Sequence, residues 1–142
     1  YSGEHYKIAD KVRYINNELY TDEPDGLSGN EDCGQMSAWY ILSSMGFYPV
    51  NPSNGAYVFG SPLFDEVYLN IPGQNKFKIS AKNNSDENIY IQSVSLNGED
   101  YKYSYITHKQ ILKGGELKFV MGPNTKKNFS TEKKYRPKSI VY

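Results

Sequence analysis

The spacing of apolar residues changes once along this chain, near Pro52, and that change limits the folds open to it. Before Pro52, Ile8, Val12, Ile15 and Leu19 recur at steps of four, three and four. This is the spacing of one helix face, and it predicts a helix over 4–20 with Lys7, Lys11, Arg13 and Glu18 largely off the stripe. Pro24, Gly26 and Gly29 then break the pattern, so 21–31 is expected to be a loop. A second helix is expected from Asp32 or Cys33 to about Met45. Met36, Trp39, Tyr40 and Leu42 leave it little polar face, which predicts burial on several sides. Gly46 is placed to end it, and Pro49 prevents its resumption.

After Pro52 the period becomes two. "AYVFG", "DEVYLNI", "KFKISAK", "NIYIQSVSLNG", "KYSYITH" and "GELKFVMG" are short β-type runs separated by turn residues. Phe77 and Ile79 alternate with lysines and Ser80; Leu117, Phe119 and Met121 alternate with Glu116, Lys118 and Val120. Such strands keep one face wet. "IPGQNK", "NNSDEN" and "NGEDYK" have turn chemistry, and "THKQILKGG" suggests a short helical turn. The expected class is α+β: two N-terminal helices followed by an antiparallel β-sheet or sandwich. Two helices have two faces to bury, and one sheet covers only one of them. The chain is therefore expected to be the end of a larger protein. It shows no internal repeat.

With 142 residues and a formal net charge of zero, the chain has no general attraction for nucleic acid or anionic lipid. No stretch approaches the roughly 18 apolar residues of a membrane span, and "YSGEHYKIAD" lacks the pattern of a signal peptide. A single cysteine, Cys33, excludes an internal disulfide and a multi-cysteine zinc site. The last stretch, "KKNFSTEKKYRPKSIVY", carries six basic residues against Glu132. A solvated, partly disordered tail is expected there; a polyanion-binding arm is the sharper alternative.

The candidate site is "GNEDCGQMSAWY". Asp32 followed by Gln35 has the D-x-x-Q form of a capping box, in which the carboxylate accepts from a helix amide. Yet a cap needs one acceptor, and Asn30, Glu31 and Asp32 stand together in a glycine-rich loop. Neighbouring carboxylates suit acid–base work, so the structural and chemical readings both stand. Cys33 could be a nucleophile at a helix start, but adjacent carboxylates oppose the thiolate. His5 and His108 are expected to be surface or packing residues rather than metal ligands. Trp39 with Tyr40 could form a sugar-stacking wall, though core packing is favoured for Trp39. Asp65 and Glu66 are expected to be solvated, and Asn83 and Asn128 match a glycosylation pattern that short sequences often meet by chance.

"DGLSGNEDCGQMSAWYILSSMGFYPVNP" followed by "YVFGSPLFDEVYLNIP" resembles the C-terminal part of glycoside hydrolase family 92, the calcium-dependent exo-acting α-mannosidases. "AKNNSDENIYIQSVSLNG", "SYITHKQILKGGELKFVMGP" and "RPKS" extend the likeness from about Val12 to Lys138. The resemblance implies a much larger enzyme, with the whole N-terminal β-sandwich and most of an (α/α)6 barrel missing here. Residues 1–50 would then be the last barrel helices with the acidic loop, 51–124 the C-terminal antiparallel β region and 125–142 the basic tail.

The resemblance further implies inversion at the anomeric carbon, with Asp32 as general base, Glu31 as fallback base and Asn30 orienting the water. Many relatives carry an acid at Asn30's position, so that departure removes an acidic partner for Asp32. The general acid and the calcium ligands would lie upstream of Tyr1, so this fragment is expected to hold neither Ca2+ nor activity alone. Mannose-containing glycans, N-glycans or mannans with α-1,2 linkages, would be the substrates. The location would be the periplasm or cell surface of a bacterium. The alternatives are a non-catalytic carbohydrate-binding β-sandwich module that uses its tyrosines, and a structural docking domain.

Overall fold

The computed structural model describes residues 1–73 and 76–139. Gln74 and Asn75, in the middle of the expected "IPGQNK" turn, and 140–142 at the end of the tail lie outside the described residues. A 3-10 turn, His5–Ile8, leads into helix α1, Ala9–Glu18; helix α2 is Gln35–Ser44 and the short α3 is His108–Leu112. Eight strands complete the described chain: β1 Phe47–Asn51, β2 Ala56–Phe59, β3 Glu66–Leu69, β4 Phe77–Lys82, β5 Tyr90–Leu96, β6 Glu99–Asp100, β7 Tyr105–Thr107 and β8 Gly115–Gly122. They form a three-stranded sheet in the order β1-β2-β7 and a five-stranded sheet in the order β3-β4-β8-β5-β6. The class is α+β, as the switch in period predicts.

The alternation read in the sequence sets the core. Phe77, Ile79 and Ala81 on β4 and Leu117, Phe119 and Met121 on β8 all point inward. Phe47, Phe59 and Ile106 come from the smaller sheet into the same cluster. Phe59 meets Phe119 edge to face with ring centroids 5.1 Å apart, so the two sheets share one interior. On β5 the inward residues are Ile91 and Val94, three apart, which breaks strict alternation. A register shift between Ile91 and Ser93 absorbs the extra residue as a bulge.

The expected antiparallel sheet differs in one pair. β4 and β8 run parallel, Phe77 opposite Gly115 through Lys82 opposite Val120, while every other named pair is antiparallel. The long excursion through β5, β6, β7 and α3 provides the crossover that a parallel pair needs. β1 was not visible in the sequence because Pro49 interrupts it. It lies at the edge of its sheet, where a missing amide is tolerated. The boundary expected at 50/51 falls inside this strand.

α1 departs most from its sequence pattern. Its buried residues are Ala9, Arg13 and Asn16, not the apolar stripe. Ile8 is 37% exposed, and Val12, Ile15 and Leu19 are only half-buried. Arg13 is seated by hydrogen bonds to the Ser61 hydroxyl at 3.0 Å, the Pro62 carbonyl and the Asn84 side chain. Asn16 accepts from the Ser43 hydroxyl of α2 at 3.0 Å. A polar seam thus holds α1 to the body and leaves its apolar face partly bare. α2 is not buried all round either, since Ile41 is 57% exposed.

Gly46 ends α2 as expected. It sits at φ +97°, where a side chain is strained, and an added Cβ would come within 3.0 Å of Pro62 and 3.2 Å of Phe119. The tail corrects the expectation of a solvated, partly disordered segment, as far as Ser139. Phe129, Ser130 and Pro137 are buried, and the Ser104 amide donates to the Tyr135 carbonyl at 3.0 Å. The ring of His5 packs edge-on against Phe129 at 4.9 Å. Burial lowers the pKa of His5 from 6.5 to about 4.

Two outcomes follow from this packing. Gly46→Ala should lower stability in denaturant melts by more than the roughly 1 kcal/mol typical of a left-handed alanine, because Pro62 and Phe119 must also move. In acid, the unfolded chain protonates His5 near pH 6.5 while the folded chain resists until about pH 4. Stability should therefore fall as pH drops through that window, by at most about 1.4 kcal/mol per unit, and His5→Phe should flatten this part of the pH–stability curve.

Candidate active site

The loop before α2 is drawn tight by its own backbone. Tyr20 and Leu27 form an isolated antiparallel bridge, the Thr21 amide donates to the Gly26 carbonyl at 2.9 Å, and the Gly26 amide donates to Glu23. Gly26 has no room for a side chain, since an added Cβ would lie 2.2 Å from the Thr21 carbonyl oxygen. Over 18–32 the chain carries Glu18, Asp22, Glu23, Asp25, Glu31 and Asp32 and no lysine or arginine. This acidic rim disfavours polyanions and leaves neutral, hydroxyl-rich ligands acceptable.

The expected capping box at Asp32 is not formed. Asp32, Cys33 and Gly34 all take left-handed backbone, with φ +55°, +59° and +94°. Gly34 is the N-cap of α2 and has no side chain with which to cap. The first amides of the helix are met from further back. The Asp32 carbonyl accepts from Gln35 at 3.3 Å, the Glu31 carbonyl from Met36 at 3.2 Å, and Glu31 Oε1 from Ser37 at 3.2 Å. Ala38 begins the regular ladder by donating to Gly34. Two non-glycine residues in left-handed backbone cost roughly 1–2 kcal/mol each. Such strain collects at sites where side chains must be aimed.

The consequence for the three candidates is a division of labour. Glu31 is half-buried and turned back onto the helix, with Oε2 buried and unpartnered among the described residues. Asp32 caps nothing and is exposed, as is Asn30. Cys33 is an exposed free thiol within the same turn.

An aromatic wall stands on α2 behind this turn. Trp39 is stacked on Tyr20 at 5.7 Å and tilted against Tyr48 at 6.4 Å, and Tyr20 also meets Tyr40 at 4.9 Å. Trp39 is half-buried and outside the core cluster, which corrects the core-packing expectation. The Tyr20 hydroxyl donates to the Met36 carbonyl at 3.0 Å. Burial, and then the Glu31 charge, raise the Tyr20 pKa above the ordinary phenol value. Beside it lies an open cleft whose lining includes Tyr20, Asp22, Leu27, Ser37 and Tyr40. The roles of Tyr20 and Ser37 were not read from the sequence. The only signal was the position of Gly34, which cannot cap with a side chain.

The remaining candidates lie elsewhere. His108 opens α3, its Nδ1 3.2 Å from the Tyr57 hydroxyl, so the two histidines do not meet each other or the acidic turn. Asp65 accepts from Asn84 at 3.3 Å, and Glu66 pairs with Lys78 at 2.6 Å. Asn83 and Asn128 are exposed. Among the described residues no three carboxylate, thiol or imidazole groups converge as a metal site. The residues present do not by themselves fit the calcium ion that the family resemblance implies.

The sequence profile of the glycosyl hydrolase family 92 catalytic domain matches residues 1–123. The chain belongs to that family. It is similar to the solved family GH92 α-mannosidase of Bacteroides thetaiotaomicron, at 36% identity and a TM-score of 0.91, over 99% of this chain and 19% of that one. The same enzyme has been solved with mannoimidazole; there the identity is 37% over 97% of this chain and 18% of that chain, again at a TM-score of 0.91. A family GH92 inverting mannosidase from the same organism matches at 38% identity and a TM-score of 0.89, over 96% of this chain and 19% of that one. Among curated relatives, a secreted glycosidase of Arthroderma benhamiae is 31% identical over 125 residues, 86% of this chain and 16% of its own length. The chain thus spans less than a fifth of the relatives it matches. No helix among the described residues is long and apolar enough to cross a membrane.

Proposed function

We propose that this chain is the C-terminal part of an inverting exo-α-mannosidase and that Asp32 is its general base. The observation that carries the reading is the exposed, cap-free carboxylate of Asp32 on a strained left-handed turn, before a helix whose first amides are met by Glu31 and by the Asp32 carbonyl. An inverting glycosidase needs a carboxylate that activates water on the sugar face opposite the leaving group. It also needs an acid about 6.5–9.5 Å from that base. Asp32 supplies the first; the acid comes from outside this chain.

In the reaction, Asp32 accepts a proton from the attacking water as the water oxygen bonds to the anomeric carbon and the glycosidic bond breaks, the leaving oxygen taking its proton from the acid outside this chain. Asn30 fixes that water by hydrogen bonding and cannot take its proton. Tyr20, Trp39 and Tyr40 offer an apolar wall beside the cleft, of the kind that packs against a sugar ring. The acidic rim fits a neutral mannoside, in N-glycans or mannans, with α-1,2-mannobiose the first disaccharide to test. Calcium is assigned to the complete enzyme only, and no step here is routed through it. The secreted relative and the glycan substrate support action outside the cytoplasm, in the periplasm or at the cell surface. The bare apolar groups Ile8, Tyr14, Ile41 and Val50, which are 37%, 60%, 57% and 62% exposed, fit packing of this chain against the rest of its enzyme.

In the full-length enzyme, Asp32→Asn should lower kcat on an aryl α-mannoside by at least about a thousandfold, with an unchanged melting temperature. Near-normal turnover in that variant would remove Asp32 from the role of base. The 142-residue chain alone should release no mannose from the same substrate, and calcium-dependent release by it would contradict the assignment of the acid to another segment.

A further inference from the structure

Glu31 holds a carboxylate for which the proposed chemistry has no task. Its Oε1 accepts from the Ser37 amide and its carbonyl from the Met36 amide, so one residue holds two of the first amides of α2. Oε2 is buried with no partner among the described residues. The sequence also contains a competing way to start this helix, the Asp32-x-x-Gln35 capping box. In that arrangement Asp32 leaves φ +55° for the extended backbone of an N-cap, and Cys33 and Gly34 join the first helical turn. The Asp32 carboxylate then turns onto the helix amides and away from solvent. The exchange would relieve the left-handed strain at both Asp32 and Cys33. Glu31 opposes it by holding the Met36 and Ser37 amides from a position that requires the chain to reverse at 32–34.

We propose that Glu31 is a positioning residue, which prevents the latent Asp32–Gln35 cap from forming and so keeps the Asp32 carboxylate presented to water. This rests on the reading of Asp32 as the base. Glu31 itself exchanges no proton with substrate.

The test is a variant series in the full-length enzyme, with kcat and KM measured on an aryl α-mannoside and folding followed by thermal melts. Glu31→Ala should lower kcat roughly 10- to 100-fold with KM little changed, as expected when a reacting group is displaced by about 1 Å. Glu31→Gln should keep most of kcat, because its amide oxygen still accepts from Ser37. The acid limb of its kcat/KM profile should stay in place, since the proposed base is unchanged. Adding Cys33→Gly to Glu31→Ala should restore activity several-fold, because glycine takes left-handed backbone without steric cost. Wild-type kcat in Glu31→Ala beside an inactive Asp32→Asn would overturn this inference alone. Glu31→Gln as inactive as Asp32→Asn would make Glu31 a reacting group and overturn it too. Full activity of Asp32→Asn would remove the base assignment and this inference together. Should Glu31→Ala fail to fold, the activity and pH profile of Glu31→Gln decide between the same outcomes.

Discussion

The first amides of a helix must find acceptors outside the helical ladder, and at α2 the choice of acceptors places the carboxylates of Glu31 and Asp32. A side-chain cap from Asp32 would satisfy the helix and bury the acid in that duty. The chain instead reverses through three left-handed residues, and Glu31 and the Asp32 carbonyl take the amides from behind. The cost is backbone strain at Asp32 and Cys33; the gain is a carboxylate with nothing left to cap. Glycines at 26 and 34 permit this path, the first by allowing the loop to close on Thr21 and the second by capping without a side chain.

The body beneath the site explains why α2 can carry such a strained start. Its C-terminal end is locked by Gly46 under Pro62 and Phe119, and the Gly46 carbonyl accepts from Gly60 at 2.9 Å. Phe59 and Phe119 tie the two sheets into one interior below that point. α1 is attached differently, by the buried guanidinium of Arg13 and by Asn16, with its apolar stripe only half-buried. Here the polar side is buried and the stripe only half-buried, an arrangement that agrees with the small share of the family relatives that this chain covers.

The sheets were the most legible part of the sequence. Period two placed the inward residues of β4 and β8 because alternation is enforced by the strand itself. Gly46 was legible as a helix end, since positive φ is the ordinary reason for glycine there. What failed did so for identifiable reasons. Pro49 concealed β1, which only an edge position allows. The parallel β4–β8 pair depends on where distant segments meet, which local pattern does not encode. The bulge at Gln92 shifted the phase of β5. The stripe on α1 was real but is only half-buried, so periodicity predicted amphipathicity and not which face this chain would bury. The docked tail hid behind its lysines, because Phe129, Ser130 and Pro137 anchor it while its charges stay in water. At the site, proximity of three polar residues was legible and their division of roles was not. Asp32-x-x-Gln35 matched a cap better than the Glu31 contact that forms, which spans six residues and follows no local rule.

The deep anchoring of α2 at its C-terminal end, against the lighter hold of Tyr20 on Met36 near its start, makes the helix a lever. Gly46 is the pivot, fixed in the shared interior, and the acidic turn rides at the other tip, ten helical residues or about 15 Å away. A tilt of about four degrees at the pivot swings that tip by roughly 1 Å, the scale of misplacement at which catalysis is lost. If Asp32 acts as proposed, side chains of the shared interior that never approach a sugar would share in aiming it, and drift in their packing would register as altered turnover before it registered as unfolding.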